Sequence, residues 1–350
     1  MGWALHLFGR DRVSSVDFTT TASGRAGAHA GTRALLVAST GGHLEQLWRL
    51  HQRFSPAFGE VEWATFDEAQ SRSLLAGQVV HHVPYIPPRG YGQVMRGMAR
   101  ARHILRSGRF DAVVSTGSGI ALAFLPVARA LGIRAHYVES AARADGPSLT
   151  GQLVSRVPGT RAYSQYPAWA GRRWQYRGSL FDGYEAVPAE PAGAANRVVV
   201  TLGTMRRYGF RRALDGVLRV LPEVLAPDAE VLWQVGVTDC TGLPLAGRVD
   251  VPATELRAAI ADADLVIAHA GIGSCLTALD AGRSPVVLPR RQAEGEHVDD
   301  HQELIARELD RRRLAVRRAP TELTAEDLAA AMTRRVSRVG DEREFALGRV

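Results

Sequence analysis

The stretch LVIAHAGIGSCLTALDAGRSPVVLP, Leu265 to Pro289, decides how the rest of the chain is read. Leu265 to Ala268 is an apolar run bounded by a glycine turn, which predicts a buried strand. The turn is His269-Ala270-Gly271-Ile272-Gly273-Ser274, and a helical pattern opens from about Cys275. Gly271 and Gly273 let backbone approach a ligand closely. A helix start adds unpaired N–H groups and the positive end of a dipole, which suits a phosphate. Ser284 to Leu288 reads as a second buried strand that closes the unit. Strand, glycine loop, helix and strand form a module able to cradle a diphosphate.

Working outward, the same alternation recurs on both sides. Ala34 to Ala38 is a strand entering Ser39-Thr40-Gly41-Gly42-His43 and a leucine-rich helix. Ala112 to Ser115 runs into Thr116-Gly117-Ser118-Gly119 and an apolar helix, then into the strand Arg134 to Val138, which ends at Glu139. After a Pro-, Gly- and Ala-rich stretch, Arg197 to Leu202 restarts the pattern and leads into Gly203-Thr204. Strands alternating with helices predict parallel sheets, so the fold class is α/β with two doubly wound, Rossmann-like domains facing a cleft. The expected boundaries are a poorly ordered extension over 1–32, a first domain over 33–180, a linker over 181–196 and a second domain over 197–350. Ala325 to Val339 reads as a last helix.

Composition narrows the function. A chain of 350 residues with 46% hydrophobic content is globular and long enough for two cores. The formal charge of +7 comes from 43 basic residues that are all arginine, interleaved with 36 acids. Wholesale use of one basic residue reads as compositional bias, and no nucleic-acid partner is expected. Cys240 and Cys275 lack metal spacing, which fits a reduced, cytoplasmic protein. No apolar run reaches transmembrane length. The helix carrying Arg96, Arg100, Arg102 and Arg106 offers either a solvated face or a peripheral contact with phosphate or lipid head groups.

Three motifs offer candidate chemistry. Gly117-Ser118-Gly119 followed by apolar residues, with Glu139 at the end of the next strand, resembles a dinucleotide fingerprint, but it lies outside the first strand–helix unit and reads better as cleft wall. Glu294, Glu296, His297, Asp299, Asp300 and His301 suggest a metal site, with His297 and His301 spaced to share a helical face. No third ligand has a distinctive spacing, and such side chains also bind sugar hydroxyls, so no metal is assigned. His43 sits on a glycine turn at a strand's C-terminal edge, where open α/β sheets bind ligands. It is either a base that takes a proton from an acceptor hydroxyl or a cap of its own turn.

Taken together, Ala38 to His43, Asp111 to Gly117, Tyr137 to Arg143, Ser148 to Gly151, Val200 to Thr204, His269 to Ser274 and Asp299 to Leu304 resemble the MurG-like glycosyltransferases of family 28. The likeness is to a fusion of the two subunits of the dolichol-linked N-acetylglucosaminyltransferase. It spans residues 34 to about 316 and implies a GT-B enzyme that is inverting and needs no catalytic metal and no cofactor. A UDP-sugar is the donor, and a lipid-linked sugar or a small molecule is the acceptor. Matching motifs place Gly203, Thr204, His269, Gly271, Gly273 and Ser274 on the donor diphosphate, and Glu294, Asp300, His301 and Gln302 on its ribose or sugar. Gly41, Gly42, Gly117, Ser118 and Arg143 fall on the acceptor side, with His43 and Glu139 as catalytic candidates. Asp300 stands where the family usually has Asn, which leaves the donor sugar open. The eukaryotic subunit has an N-terminal membrane anchor, and Met1 to Thr32 does not read as one. A UDP-sugar epimerase or hydrolase of the same fold, and a non-enzymatic nucleotide-binding protein, are the rival readings.

Overall fold

The computed structural model describes residues 29–87, 90–190, 193–205, 207–339 and 344–348. The expected extension therefore lies outside the described residues up to position 28. Residues 29–32 belong to the first strand rather than to that extension.

The first sheet contains β1 (His29–Ala38), β2 (Phe58–Thr65), β3 (Val80–His82), β4 (Ala112–Gly117), β5 (Arg134–Val138), β6 (Thr160–Ser164) and β7 (Trp174–Tyr176). They lie side by side in the order β3-β2-β1-β4-β5-β6-β7, all parallel. The second sheet repeats the plan with β8 (Ala195–Thr201), β9 (Leu225–Gln234), β10 (Gly247–Arg248), β11 (Leu265–His269), β12 (Val286–Leu288) and β13 (Val316–Arg317), ordered β10-β9-β8-β11-β12-β13. In both, strand order reverses beside the first strand, which opens a crevice at the C-terminal strand ends. The glycine loops follow those ends.

Both faces of each sheet are covered, so the central strands are apolar throughout. Along β1, Leu36 and Ala38 face one buried cluster while Leu35 and Val37 face another. In β8, Val198 and Val200 pack on one side and Val199 on the other. The helices that position the site are α1 (Gly42–His51), α2 (Tyr91–Gly108), α3 (Gly119–Ala130), α4 (Leu149–Val154), α5 (Arg211–Val220), α6 (Ala253–Asp262), α7 (Ile272–Asp280), α8 (His301–Arg311) and α9 (Ala325–Met332). One buried cluster joins the two domains, uniting Leu44 and Leu47 of α1 with Ile272 and Leu276 of α7.

Two segments differ from expectation. The stretch read as a loop linker contains a strand, Tyr184–Pro188. It pairs antiparallel with Arg334–Arg338, which the sequence reading had continued as helix. Helix α9 stops at Met332 because the chain turns back onto this partner, with Ala189 N–H donating to the Thr333 carbonyl. Beyond that ribbon, Phe345–Ala346 pairs with Phe54–Ser55 and the Gly348 N–H reaches the Tyr163 hydroxyl. The last described residues thus lie on the first domain, not the second. No helix among the described residues is long and apolar enough to cross a membrane.

Candidate active site

On the first domain, Gly41 takes a positive φ of 84°, and its peptide N–H is held by the Gln70 side chain. This turn delivers His43 into the opening of α1. Its Nδ1 lies 2.7 Å from the Thr116 carbonyl, and the Thr116 hydroxyl donates back to the His43 carbonyl at 2.8 Å. A carbonyl only accepts, so Nδ1 carries the proton and Nε2 keeps its lone pair. Burial of the ring, with the charges of His301 and Arg143 adding to it and the Thr116 bond opposing, lowers its pKa to about 4. His43 is therefore neutral, as a base must be. Gly117, at φ 103°, makes room for it: a Cβ there would sit 3.1 Å from His43 Cε1. Ser118 caps α3 without a side-chain bond.

Glu139 is buried, and both its oxygens are occupied. Oε1 accepts from the Ser140 N–H at 3.0 Å and the Tyr137 hydroxyl at 3.3 Å, and Oε2 from the Ser148 N–H and hydroxyl at 2.9 and 3.0 Å. Burial nonetheless raises its pKa. These bonds fold the 140–148 loop and set Ser148 as the cap of α4. Arg143, on that loop, reaches the other domain.

On the second domain, α7 begins at Ile272, three residues earlier than expected, with Gly271 as its cap. Its opening N–H groups have no acceptor within the helix. The glycines divide the work unevenly. A Cβ on Gly271 would lie 2.2 Å from His269 Nε2 and one on Gly203 2.6 Å from His269 Cε1, whereas Gly273 faces open space. So Gly203 and Gly271 clear a slot for the His269 ring, and Gly273 alone leaves the loop surface bare. Burial, then Arg290, lowers the His269 pKa to about 3. Thr204 is exposed and Ser274 half-buried. Cys275 is buried and its thiol is pushed up to about 12, so it is packing rather than a nucleophile.

The two loops touch. A Cβ on Gly42 would come within 2.5 Å of the Ile272 side chain. Beside them, Asp299 binds Arg143 at 3.0 Å through one oxygen and meets His297 and His301 through the other. The two imidazole bonds, His297 first, hold its carboxyl far below the usual range. His297, Asp299 and His301 each bring one ligand atom within 4.8 Å of the others, a spacing that would also suit a cation. They do not share a helix, because α8 starts at His301 and His297 precedes it in a turn.

Glu294 and Asp300 are exposed, and Asp300 accepts the Gln292 N–H at 2.8 Å. Gln302 is buried and accepts the Arg290 N–H at 3.2 Å, so it braces the loop from inside. Arg290 escaped the sequence reading. Its buried guanidinium donates to the carbonyls of Leu202, Tyr208, Gly209 and Glu296 at 2.8–3.1 Å and lies 4.8 Å from the Phe210 ring centre. It ties the loop after β8 to the loop after β12, the two loops expected to edge the donor. Its position directly after the strand ending at Pro289 was the available signal. Asp299 was passed over for its neighbour Asp300, although a His-x-Asp-x-His pattern singles it out.

Residues 198–338 match the glycosyltransferase family 28 C-terminal domain. A UDP-N-acetylglucosamine–N-acetylmuramyl-(pentapeptide) pyrophosphoryl-undecaprenol N-acetylglucosamine transferase from Synechococcus sp. (strain CC9902) is 26% identical over 297 residues, 77% of this chain and 79% of that protein. The chain is a glycosyltransferase of GT-B fold that is similar to MurG-type enzymes. In three dimensions this MurG-like chain resembles Acinetobacter baumannii MurG at 20% identity and TM-score 0.54, over 85% of this chain and 88% of that one. It also resembles the UDP-GlcNAc 2-epimerase of Methanocaldococcus jannaschii at 12% identity and TM-score 0.56, over 91% and 96%. These likenesses concern the fold. In this chain the Gly117 loop packs directly against the His43 ring.

Proposed function

We propose that the protein transfers N-acetylglucosamine from UDP-N-acetylglucosamine to a hydroxyl of a lipid-linked sugar, with inversion and without a metal. The observation that carries this reading is the contact of the two loops, where Gly42, next to His43, meets Ile272 in the opening turn of α7. The donor diphosphate sits on the first-turn N–H groups beside Gly273, where the helix end stabilises the leaving UDP. His43 takes the acceptor proton as its oxygen attacks the anomeric carbon from the face opposite the diphosphate. Negative charge on the seated donor raises the His43 pKa toward working pH. The donor identity and the lipid-linked acceptor follow the Synechococcus relative's name.

Exposed Tyr91 and Met95 on α2, beside Arg96 and Arg100, support peripheral contact with an anionic membrane. The test is UDP release and product formation with and without a polyprenyl-diphosphate sugar acceptor, in EDTA. Acceptor-dependent, EDTA-insensitive product of inverted configuration is expected. Epimer or free sugar formed without acceptor would overturn the transferase assignment.

A further inference from the structure

The catalytic loops occupy the C-terminal edge of the first sheet. At the opposite edge, β5 and β6 begin side by side, and their first residues, Arg134 and Thr160, border a pocket of 230 Å³. Arg129, His136, Gly159 and Arg161 also line it. Five residues of β5 separate this end from the Glu139 loop, about 16 Å.

Arg129, Arg134 and Arg161, all half-buried, line this pocket, and the Arg161 guanidinium packs beside Gly348 and the Tyr163 hydroxyl. Arg129 donates to the carbonyls of Pro158 and Ile133 at 3.2 and 3.0 Å, and Arg134 to that of Asp111 at 3.1 Å. No ion pair joins any of the three to an acid among the described residues. Some half-buried arginines of this chain do have acids, as Arg212 has Glu296 and Arg312 has Asp182 and Glu308, while Arg283 and Arg335 likewise bind only carbonyls. Carbonyl bonds orient a guanidinium and leave its charge unbalanced. Arg129 is also fixed sterically, since a Cβ on Gly159, which has φ 77°, would lie 2.4 Å from its Nη2. A second observation is independent of charge: the Thr160 hydroxyl is buried and has no hydrogen-bond partner among the described residues. A buried hydroxyl left unpaired is costly unless something else binds it. His136 is neutral, its pKa lowered to about 3 by burial and then by Arg161 and Arg134, so it adds a polar contact without a negative charge.

We propose that this pocket binds a small phosphoryl anion, with Arg129, Arg134 and Arg161 as the charge partners and Thr160 as a hydroxyl donor. The planar guanidinium fork matches phosphate oxygens two at a time. The volume is below the range of pockets that enclose drug-sized ligands, which selects a phosphate, diphosphate or phosphate monoester over a nucleotide sugar. A free anion and a lipid head-group phosphate share this chemistry.

The experiment is calorimetry of the full chain with inorganic phosphate and with pyrophosphate, in saturating UDP so that the cleft is blocked. Binding is expected to persist under UDP. Arg161→Gln should weaken it about tenfold and the Arg134→Gln/Arg161→Gln pair about a hundredfold. Arg257→Gln, on the exposed face of α6, should leave it unchanged. Sedimentation with phosphatidylcholine vesicles, with and without phosphatidic acid, assigns the source. Vesicle binding lost in Arg161→Gln points to a lipid head group, and its absence alongside phosphate binding points to a soluble anion. No heat under UDP, or heat that the double variant leaves intact, would overturn the site. Should the double variant fail to fold, tungstate soaked into crystals of the unaltered protein decides: anomalous density among the three arginines supports the site, and density in the cleft alone refutes it.

Discussion

Arg143 of the first domain and Asp299 of the second meet across the cleft at 3.0 Å, and Asp299 turns its other oxygen to His297 and His301. Each partner of the pair is one-third exposed, so the bond adds little stability, about 0–1 kcal/mol. Its value is geometric, because it joins the two domains near the contact of Gly42 with α7. Arg143→Ala is expected to lower kcat/KM about tenfold while moving the melting temperature by less than about 2 °C. A larger radius of gyration in X-ray scattering should accompany the loss.

His43→Ala should lower kcat by roughly 10²–10⁴ with an unchanged circular dichroism spectrum, the usual range for loss of a positioned base. Full activity in that variant would remove His43 from the reaction.

The glycines provide a paired test. Gly271→Ala drives a methyl into the His269 ring, so its melting temperature should fall by several degrees, and the double change with His269→Ala should recover part of the loss. Gly273→Ala meets nothing in the protein and should melt normally, yet its KM for donor should rise about tenfold because the methyl stands where the diphosphate approaches.

Three buried or half-buried histidines set a pH dependence. The folded-state pKa values of His43, His136 and His269 are lowered to about 4, 3 and 3. The unfolded chain takes up these protons below about pH 6.5, while the folded chain does not. Stability from these groups is therefore present above pH 6.5 and is lost as pH falls towards 4 and then 3. Urea denaturation should give a slope approaching roughly 1.4 kcal/mol per pH unit for each histidine between pH 6 and 4. Replacing His136 with a non-titrating residue should reduce that slope.

Arg290→Lys should destabilise the second domain by about 3 kcal/mol or more, since an ammonium group cannot reach four carbonyls in the plane of one fork. Loss of donor binding in parallel, measured by UDP titration, would connect this brace to the cradle.

The alternation of apolar runs and glycine turns made both sheets legible, because parallel strands buried on two faces leave an unmistakable sequence pattern. The loops of the site were legible for a related reason: backbone that leaves a strand and immediately opens a helix requires small residues. What the glycines were for was not legible. Gly203 and Gly271 look like ligand-facing residues until the His269 ring is seen between them. Glu139 likewise drew notice as an acid at a strand end, although its partners, Ser140 and Ser148, come from a loop whose path no local pattern specifies. The ribbon of Tyr184–Pro188 with Arg334–Arg338 was hidden too, since its strands lie about 150 residues apart and one continues a helical pattern.

That ribbon carries both passages of the chain between the domains, and it is fastened to α7. The Val336 N–H donates to the Gly282 carbonyl just beyond the helix, and Asp280 gathers Arg49, Tyr184 and Arg338 at its end. A two-stranded ribbon bends across its face far more readily than within its plane, so it acts as a strap hinge with a single axis. Through these bonds any bending of the ribbon is transmitted to the end of α7. If UDP leaves from the opening of α7 as proposed, its departure and the parting of the domains would be one motion.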